Sequence, residues 1–158
     1  MTFDNSKKII GIRIRLFIAT IIMIVYIFLV YFGKQLKFPI LGIEEISATL
    51  TLTAIYLLLA FMPLIFNYKY IYFSDDGTNL IFRFYSAGFF RREKHSIEIP
   101  KKEFSGYSIK KHFPGFVKSI LLYRLMGNKK ASYPPVYVTA LSDKELSRIT
   151  EALDKYSK

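Results

Sequence analysis

The 158-residue chain has no cysteine and no tryptophan, and its only histidines are His95 and His112. Without cysteine there is no disulfide framework, no thiol nucleophile, no Cys-x-x-Cys redox centre and no thiolate-held zinc or iron–sulfur site. Two histidines would need carboxylate help to hold a metal. The strings that announce common chemistries are missing as well: there is no Gly-x-Ser-x-Gly nucleophile elbow, no phosphate loop and no His-Glu-x-x-His. His112 alone, and His95 beside Glu93 and Lys94, are thin grounds for acid–base work. The chain therefore reads as non-enzymatic, with no cofactor and no metal.

Acidic residues are scarce, 12 against 23 Lys and Arg, which leaves a net charge of +11 in a chain that is 52% hydrophobic. Such charge and such apolarity coexist when they are segregated along the chain. Residues 16–33 and 46–68 carry no charge at all. A helix needs about 20 apolar residues to cross the hydrocarbon core of a bilayer; the second run meets this comfortably and the first is at the short end. Neither has the polar face of a helix that packs on a soluble core. A cleaved signal peptide does not fit the first run, which is longer than the usual apolar region and ends in Tyr31-Phe32-Gly33-Lys34, without a small-x-small site. The expectation is a cytoplasmic tail over 1–15, a transmembrane hairpin with spans at 16–33 and 46–67, and a cytoplasmic domain over 68–158.

Orientation follows from the basic residues. Lys7, Lys8, Arg13 and Arg15 precede the first run, only Lys34 and Lys37 lie between the runs, and many follow the second. Both termini are therefore expected on the cytoplasmic side of the inner membrane. No ionisable Asp, Glu, Lys, Arg or His lies within either run, which argues against an ion path or a transporter. Ser47 and Thr51, and likewise Thr49 and Thr53, are four apart and share a helix face, suited to packing across the hairpin or to bonding back to their own helix. Glu44 and Glu45 suit the positive end of the second helix, and Pro63 predicts a kink near its other end.

From residue 68 the pattern changes to period two. Tyr68 to Phe73, the turn Ser74-Asp75-Asp76-Gly77, and Asn79 to Tyr85 read as a hairpin rich in aromatic strand formers. Ala87-Gly88 marks another turn. Phe89 to Arg92 and Ser96 to Ile99 read as short strands or one broken strand, and further strands are expected at Tyr107 to Lys110, Val117 to Met126 (the longest) and Val136 to Leu141. Ser142 followed by Glu145 is a capping box, and Leu146, Ile149, Leu153 and Tyr156 form an apolar stripe, so a helix closes the chain.

Six or seven antiparallel strands and one closing helix in this order, with Leu121-Leu122-Tyr123, the run Lys130-Ala131-Ser132-Tyr133-Pro134-Pro135 and the helix from Ser142 to Leu153, resemble the bacterial pleckstrin-homology-like (PH-like) families, among them small membrane proteins with two helices before such a domain. The resemblance implies a bent, mainly-β sandwich closed by an amphipathic C-terminal α-helix, and a binding or scaffolding role. One departure stands out. In the eukaryotic pattern, phosphoinositide-binding PH domains carry basic residues around the first strand–turn–strand, whereas Ser74-Asp75-Asp76-Gly77-Thr78 is acidic, which speaks against inositol phosphate there.

From residue 68 onward there are 17 Lys and Arg against 9 Asp and Glu. The basic doublets and the loop around His112 nominate Arg91, Arg92, Lys110, Lys111, His112, Phe113, Phe116, Lys129 and Lys130 as contacts for a partner protein or for anionic lipid headgroups. The expected partners are the bilayer itself and a protein partner or a second copy. Nucleic acid is set aside, because the aromatics alternate as strand residues do and no RNA-binding signature is present. The alternatives are an accessory subunit of a membrane enzyme or transporter, acting through the hairpin, or an anionic-lipid sensor.

Overall fold

The computed structural model of the chain describes residues 1–40, 42–87, 93–112, 115–127 and 129–157. Helix α1 (Ser6–Ile27) continues into a π-helical turn at Phe28–Phe32, and α2 (Glu45–Ile65) follows. Both are long and apolar enough to cross a membrane. They also keep their large side chains outside: Phe17 is 63% exposed and Leu58 69%. An apolar surface of this kind around a helix matches lipid better than a protein core.

The helices run antiparallel, and hydroxyl groups fix their register. The Thr20 and Tyr56 oxygens lie 3.2 Å apart, those of Tyr26 and Thr49 2.9 Å, and those of Tyr31 and Thr49 3.0 Å. Thr49 and Thr51 also donate back to the carbonyls of Glu45 and Ser47. Thr49 thus bonds across the hairpin, while Thr51 bonds to its own helix. Glu44 is the N-cap of α2 without a side-chain capping bond, and Glu45 lies in the first turn, where its charge favours the helix dipole. At the other end the Tyr68 N–H donates to the Pro63 carbonyl (2.9 Å) and the Asn67 N–H to the Leu64 carbonyl (3.1 Å). Asn67 has φ +50°, the left-handed residue of a Schellman close, so the chain reverses within two residues into the next strand.

Two antiparallel sheets and a helix make up the rest. β1 (Thr2–Asp4) precedes α1 and is the outer strand of a sheet ordered β1-β2-β3-β4, with β2 at Lys69–Ser74, β3 at Asn79–Ser86 and β4 at His95–Pro100. In the second sheet β6 (Val117–Met126) pairs with β5 (Phe104–His112) on one side. On the other it pairs with β7 (Lys129–Ser132) and β8 (Val136–Tyr137). Alternation buries one face of each strand: Leu80, Phe82 and Phe84 of β3 and Ile97 and Ile99 of β4 point inward. These join Phe104, Ile120 and Leu122 of the second sheet in a single core, sealed by Ile149, Ala152 and Leu153 of α3 (Asp143–Asp154). The capping box is formed, with the Ser142 N–H 2.7 Å from Glu145 Oε2 and the Glu145 N–H 3.3 Å from Ser142 Oγ. Gly106 sits at a register shift in β5 with φ +121°, and a Cβ there would come within 3.1 Å of Ser157 Oγ.

Two expectations change. The first fifteen residues are not a tail: residues 2–4 add a strand to the first sheet, and the helix starts at Ser6. The charge-free run marked only where charge stops, not where helical geometry begins. The last strand ends at Tyr137 instead of Leu141, because the Leu141 N–H turns back to the Val138 carbonyl (2.9 Å). The strand expected at Phe89 to Arg92 lies outside the described residues.

Candidate functional site

The first and last residues of the helical hairpin meet at one end of the β domain. Asn5, 3% exposed, is the stitch between them. Its Nδ2 donates to the Lys69 carbonyl (3.0 Å), its Oδ1 accepts from the Ile71 N–H (2.8 Å), and its own N–H donates to the Ile71 carbonyl (3.3 Å). The residue that opens α1 is therefore bonded to the strand that leaves α2. One turn on, Ile9 packs with Ala87 and Ala140, and Ile12, Tyr68 and Tyr70 close around them. Arg13 lies along the same seam, its Nε 3.4 Å from the Ala87 carbonyl and its guanidinium 6.0 Å from the Tyr85 ring centre.

Beside this seam is an open groove of about 460 Å³. Its α1 wall is two rows at helical spacing: Lys7, Gly11 and Arg15, then Lys8, Ile12 and Leu16. Leu59, Met62 and Pro63 of α2 form the opposite wall, and Thr139 and Ala140 of the β domain form the rim. Lys8 Nζ is 3.8 Å from Glu145, the capping residue of α3. Burial alone would push the Glu145 carboxyl up, but its bonds from the Ser142 N–H and hydroxyl outweigh this and hold it below its ordinary value, with Lys8 adding to the effect.

The β5–β6 turn reaches the same end of the domain. Phe116, 64% exposed, meets Phe66 edge-on with 6.3 Å between ring centres, and Phe66 stacks on Tyr68 at 5.9 Å. Lys110, Lys111 and His112 lie opposite Ser119, Lys118 and Val117 on that hairpin. His112 Nε2 is 3.0 Å from the hydroxyl of fully buried Ser119, so the ring is committed to a structural bond. Lys118 Nζ donates to Asp143 at 2.6 Å, and that bond holds the Asp143 carboxyl below its ordinary value.

The sequence candidates thus separate. Lys110, Lys111, His112 and Phe116 gather at the hairpin end. Lys129 and Lys130 lie beside the far end of β6, opposite Met126 and Leu125 and about 30 Å from Val117 along the strand. There Lys130 Nζ lies 4.4 Å from the Tyr123 ring centre. Arg91, Arg92 and Phe113 lie outside the described residues. The acidic turn is already occupied: the Met1 ammonium contacts Asp75 and Asp76, and Thr2 Oγ1 donates to Asp76 at 2.5 Å. The ammonium is the main reason that the Asp76 carboxyl is held at about 2.

Two features escaped the sequence reading. Lys7, Lys8 and Arg15 registered only as an orientation signal, although the i, i+4 spacing of Lys7, Gly11 and Arg15 already marked a shared face. Lys69 registered as a strand residue, yet its ammonium lies 5.3 Å from the Phe84 ring centre and 5.0 Å from that of Tyr137. Burial there pushes its pKa down. Among the described residues no cluster of three or more His, Asp or Glu is placed to hold a metal ion. No family model matches this chain, and neither does any curated protein or solved structure.

Proposed function

We propose that the chain is a two-pass protein of the inner membrane, with both termini cytoplasmic, that presents a PH-like module at the membrane face to dock a partner protein. It works by binding and not by catalysis. The observation that carries this reading is the stitch at Asn5 together with the Ile9–Ala87–Ala140 cluster. A flexible tether would let a module wander, whereas a bonded seam gives it one orientation. The end of the domain away from the hairpin is then always turned toward the cytoplasm. That end carries Met126, 58% exposed, with Lys129 and Lys130. An exposed apolar side chain beside two cations suits a partner with an apolar contact ringed by acidic residues. The basic residues at the start of α1, against only Lys34 and Lys37 between the helices, support the orientation.

The test is extraction of the tagged full chain in mild detergent, with the mass and composition of the complex determined. A stoichiometric companion is expected in the wild type. It should be lost when Met126→Glu and Lys130→Glu are combined in a variant with an unchanged circular dichroism spectrum. A lone chain, or a companion indifferent to those substitutions, would overturn docking at this end.

A further inference from the structure

The groove between α1, α2 and the β domain combines features that no packing need explains. Gly11 lies in the sixth position of a 22-residue helix, where glycine is less favourable than alanine. Yet a Cβ built at Gly11 meets nothing within 4 Å, so no neighbouring atom requires its absence. Its bare backbone faces the groove midway between Lys7 and Arg15, one helical turn from each. Among the described residues neither cation is within ion-pair distance of a carboxylate. Lys8 leans toward Glu145, and Asp4, the acidic neighbour of Lys7, is bonded to Ser6.

The lining combines charge and hydrocarbon. Its basic residues, Lys7, Lys8 and Arg15, precede the charge-free run in sequence, and Leu16, where that run begins, lines it together with Leu59 and Met62 of α2. A ligand that fills it must be anionic at one end and a hydrocarbon chain at the other. We infer that the groove binds one anionic glycerophospholipid, its phosphate held between Lys7 and Arg15 over the Gly11 backbone and an acyl chain laid along Leu16, Leu59 and Met62. The inference rests on the reading that α1 and α2 cross the bilayer, which sets the start of the charge-free run at headgroup depth. The lipid acts as a wedge in the seam: it touches both helices and, at Thr139 and Ala140, the loop leading to α3. The tilt of the β domain over the membrane is thereby coupled to the local supply of anionic lipid. Two cations beside the headgroup correspond to a preference of about 30-fold over a zwitterionic lipid.

The test uses the full chain in detergent, titrated with phosphatidylglycerol or phosphatidylcholine and read by native mass spectrometry. Carbonate-washed membranes from the same cells serve as a first check. The wild type should bind one phosphatidylglycerol with about 30-fold preference over phosphatidylcholine. Lys7→Gln combined with Arg15→Gln should bring the two lipids to parity. Gly11→Leu should weaken both, while its melting temperature holds or rises because leucine is the better helix former. Arg83→Gln, which removes a cation from the exposed face of β3, should leave the preference unchanged. Equal binding of the two lipids by the wild type, or an unchanged preference in the double variant, overturns the inference. So does displacement of the lipid by inorganic phosphate, which would reassign the cations to a soluble anion. Release of the chain by the carbonate wash overturns the membrane reading first, and the inference with it.

Discussion

The helical hairpin and the β domain are both rich in large apolar side chains, and they treat them in opposite ways. Phe73, Phe82 and Phe104 in the domain are at most 1% exposed, while Phe28 in the hairpin is 59% exposed. In the domain the hydrophobic effect is satisfied by protein, through two sheets and a helix that share one core. In the hairpin those side chains stay exposed, and α1 is joined to α2 by a short series of hydroxyl pairs. The seam around Asn5 and Ile9 belongs to neither regime. It is a small cluster with a buried polar residue, well suited to fixing orientation and contributing less to stability than the core of the domain.

The sharpest way to test this contrast is to make the same substitution in both regions. Phe82→Ala should cost the domain about 3–5 kcal/mol, seen as early loss of sheet signal on heating the detergent-solubilised chain. Phe28→Ala should change that transition by less than about 1 kcal/mol, since its ring is not part of the core. A Phe28 variant as damaging as the Phe82 variant would mean that the hairpin is itself a protein core.

The seam should break at intermediate cost. Asn5→Ala leaves the Ile71 N–H without its side-chain acceptor and removes the donor to the Lys69 carbonyl. A loss of about 1–3 kcal/mol is expected. The more informative effect is on orientation. Because the chain has no cysteine, spin labels on Gln35→Cys and Lys129→Cys can report one distance without background. That distance should be narrow in the wild type and broad in Asn5→Ala. Equal widths would show that the Ile9 cluster fixes the domain by itself.

The smallest effect is expected from pH. The carboxyls of Asp143, held by Lys118, and Asp4, held by the Ser6 hydroxyl and N–H, both sit below their ordinary value of 3.8. A carboxylate depressed in the folded state contributes stability that is complete above its unfolded pKa and is lost as pH falls through the folded one. Stability of the β domain should therefore hold between neutral pH and about pH 5 and decline below about pH 4. Asp143→Asn should flatten part of that decline. An unchanged acid profile in this variant would assign the loss to other carboxylates.

Much of this was legible beforehand because it is local. Charge-free runs mark the hairpin, alternation marks β2 and β3, and the Ser142–Glu145 pair marks the start of α3, each through contacts only a few residues apart. Thr49 could be nominated as a hairpin residue by spacing, although its partners Tyr26 and Tyr31 could not. The N-terminal strand was missed because a three-residue strand has no periodicity to display; its pairing with β2 spans some seventy residues of sequence. The candidate contacts were named by composition, and composition carries no register. Lys110 and Lys129 look alike in sequence, but they stand at opposite ends of β6.

By itself, then, the amino-acid sequence determined the two apolar helices, the mainly-β antiparallel domain, the closing helix and the lack of thiol chemistry. Hydropathy, period and residue type express these without reference to distant parts of the chain. Tertiary structure alone decided that Asn5 bonds to the strand after α2, that the basic residues of α1 line a groove with Leu59 and Met62, and that Phe116 meets Phe66 at the end of α2. Those outcomes depend on which remote segments come together. That is set by the free energy of the whole packed arrangement, which no local window of sequence contains.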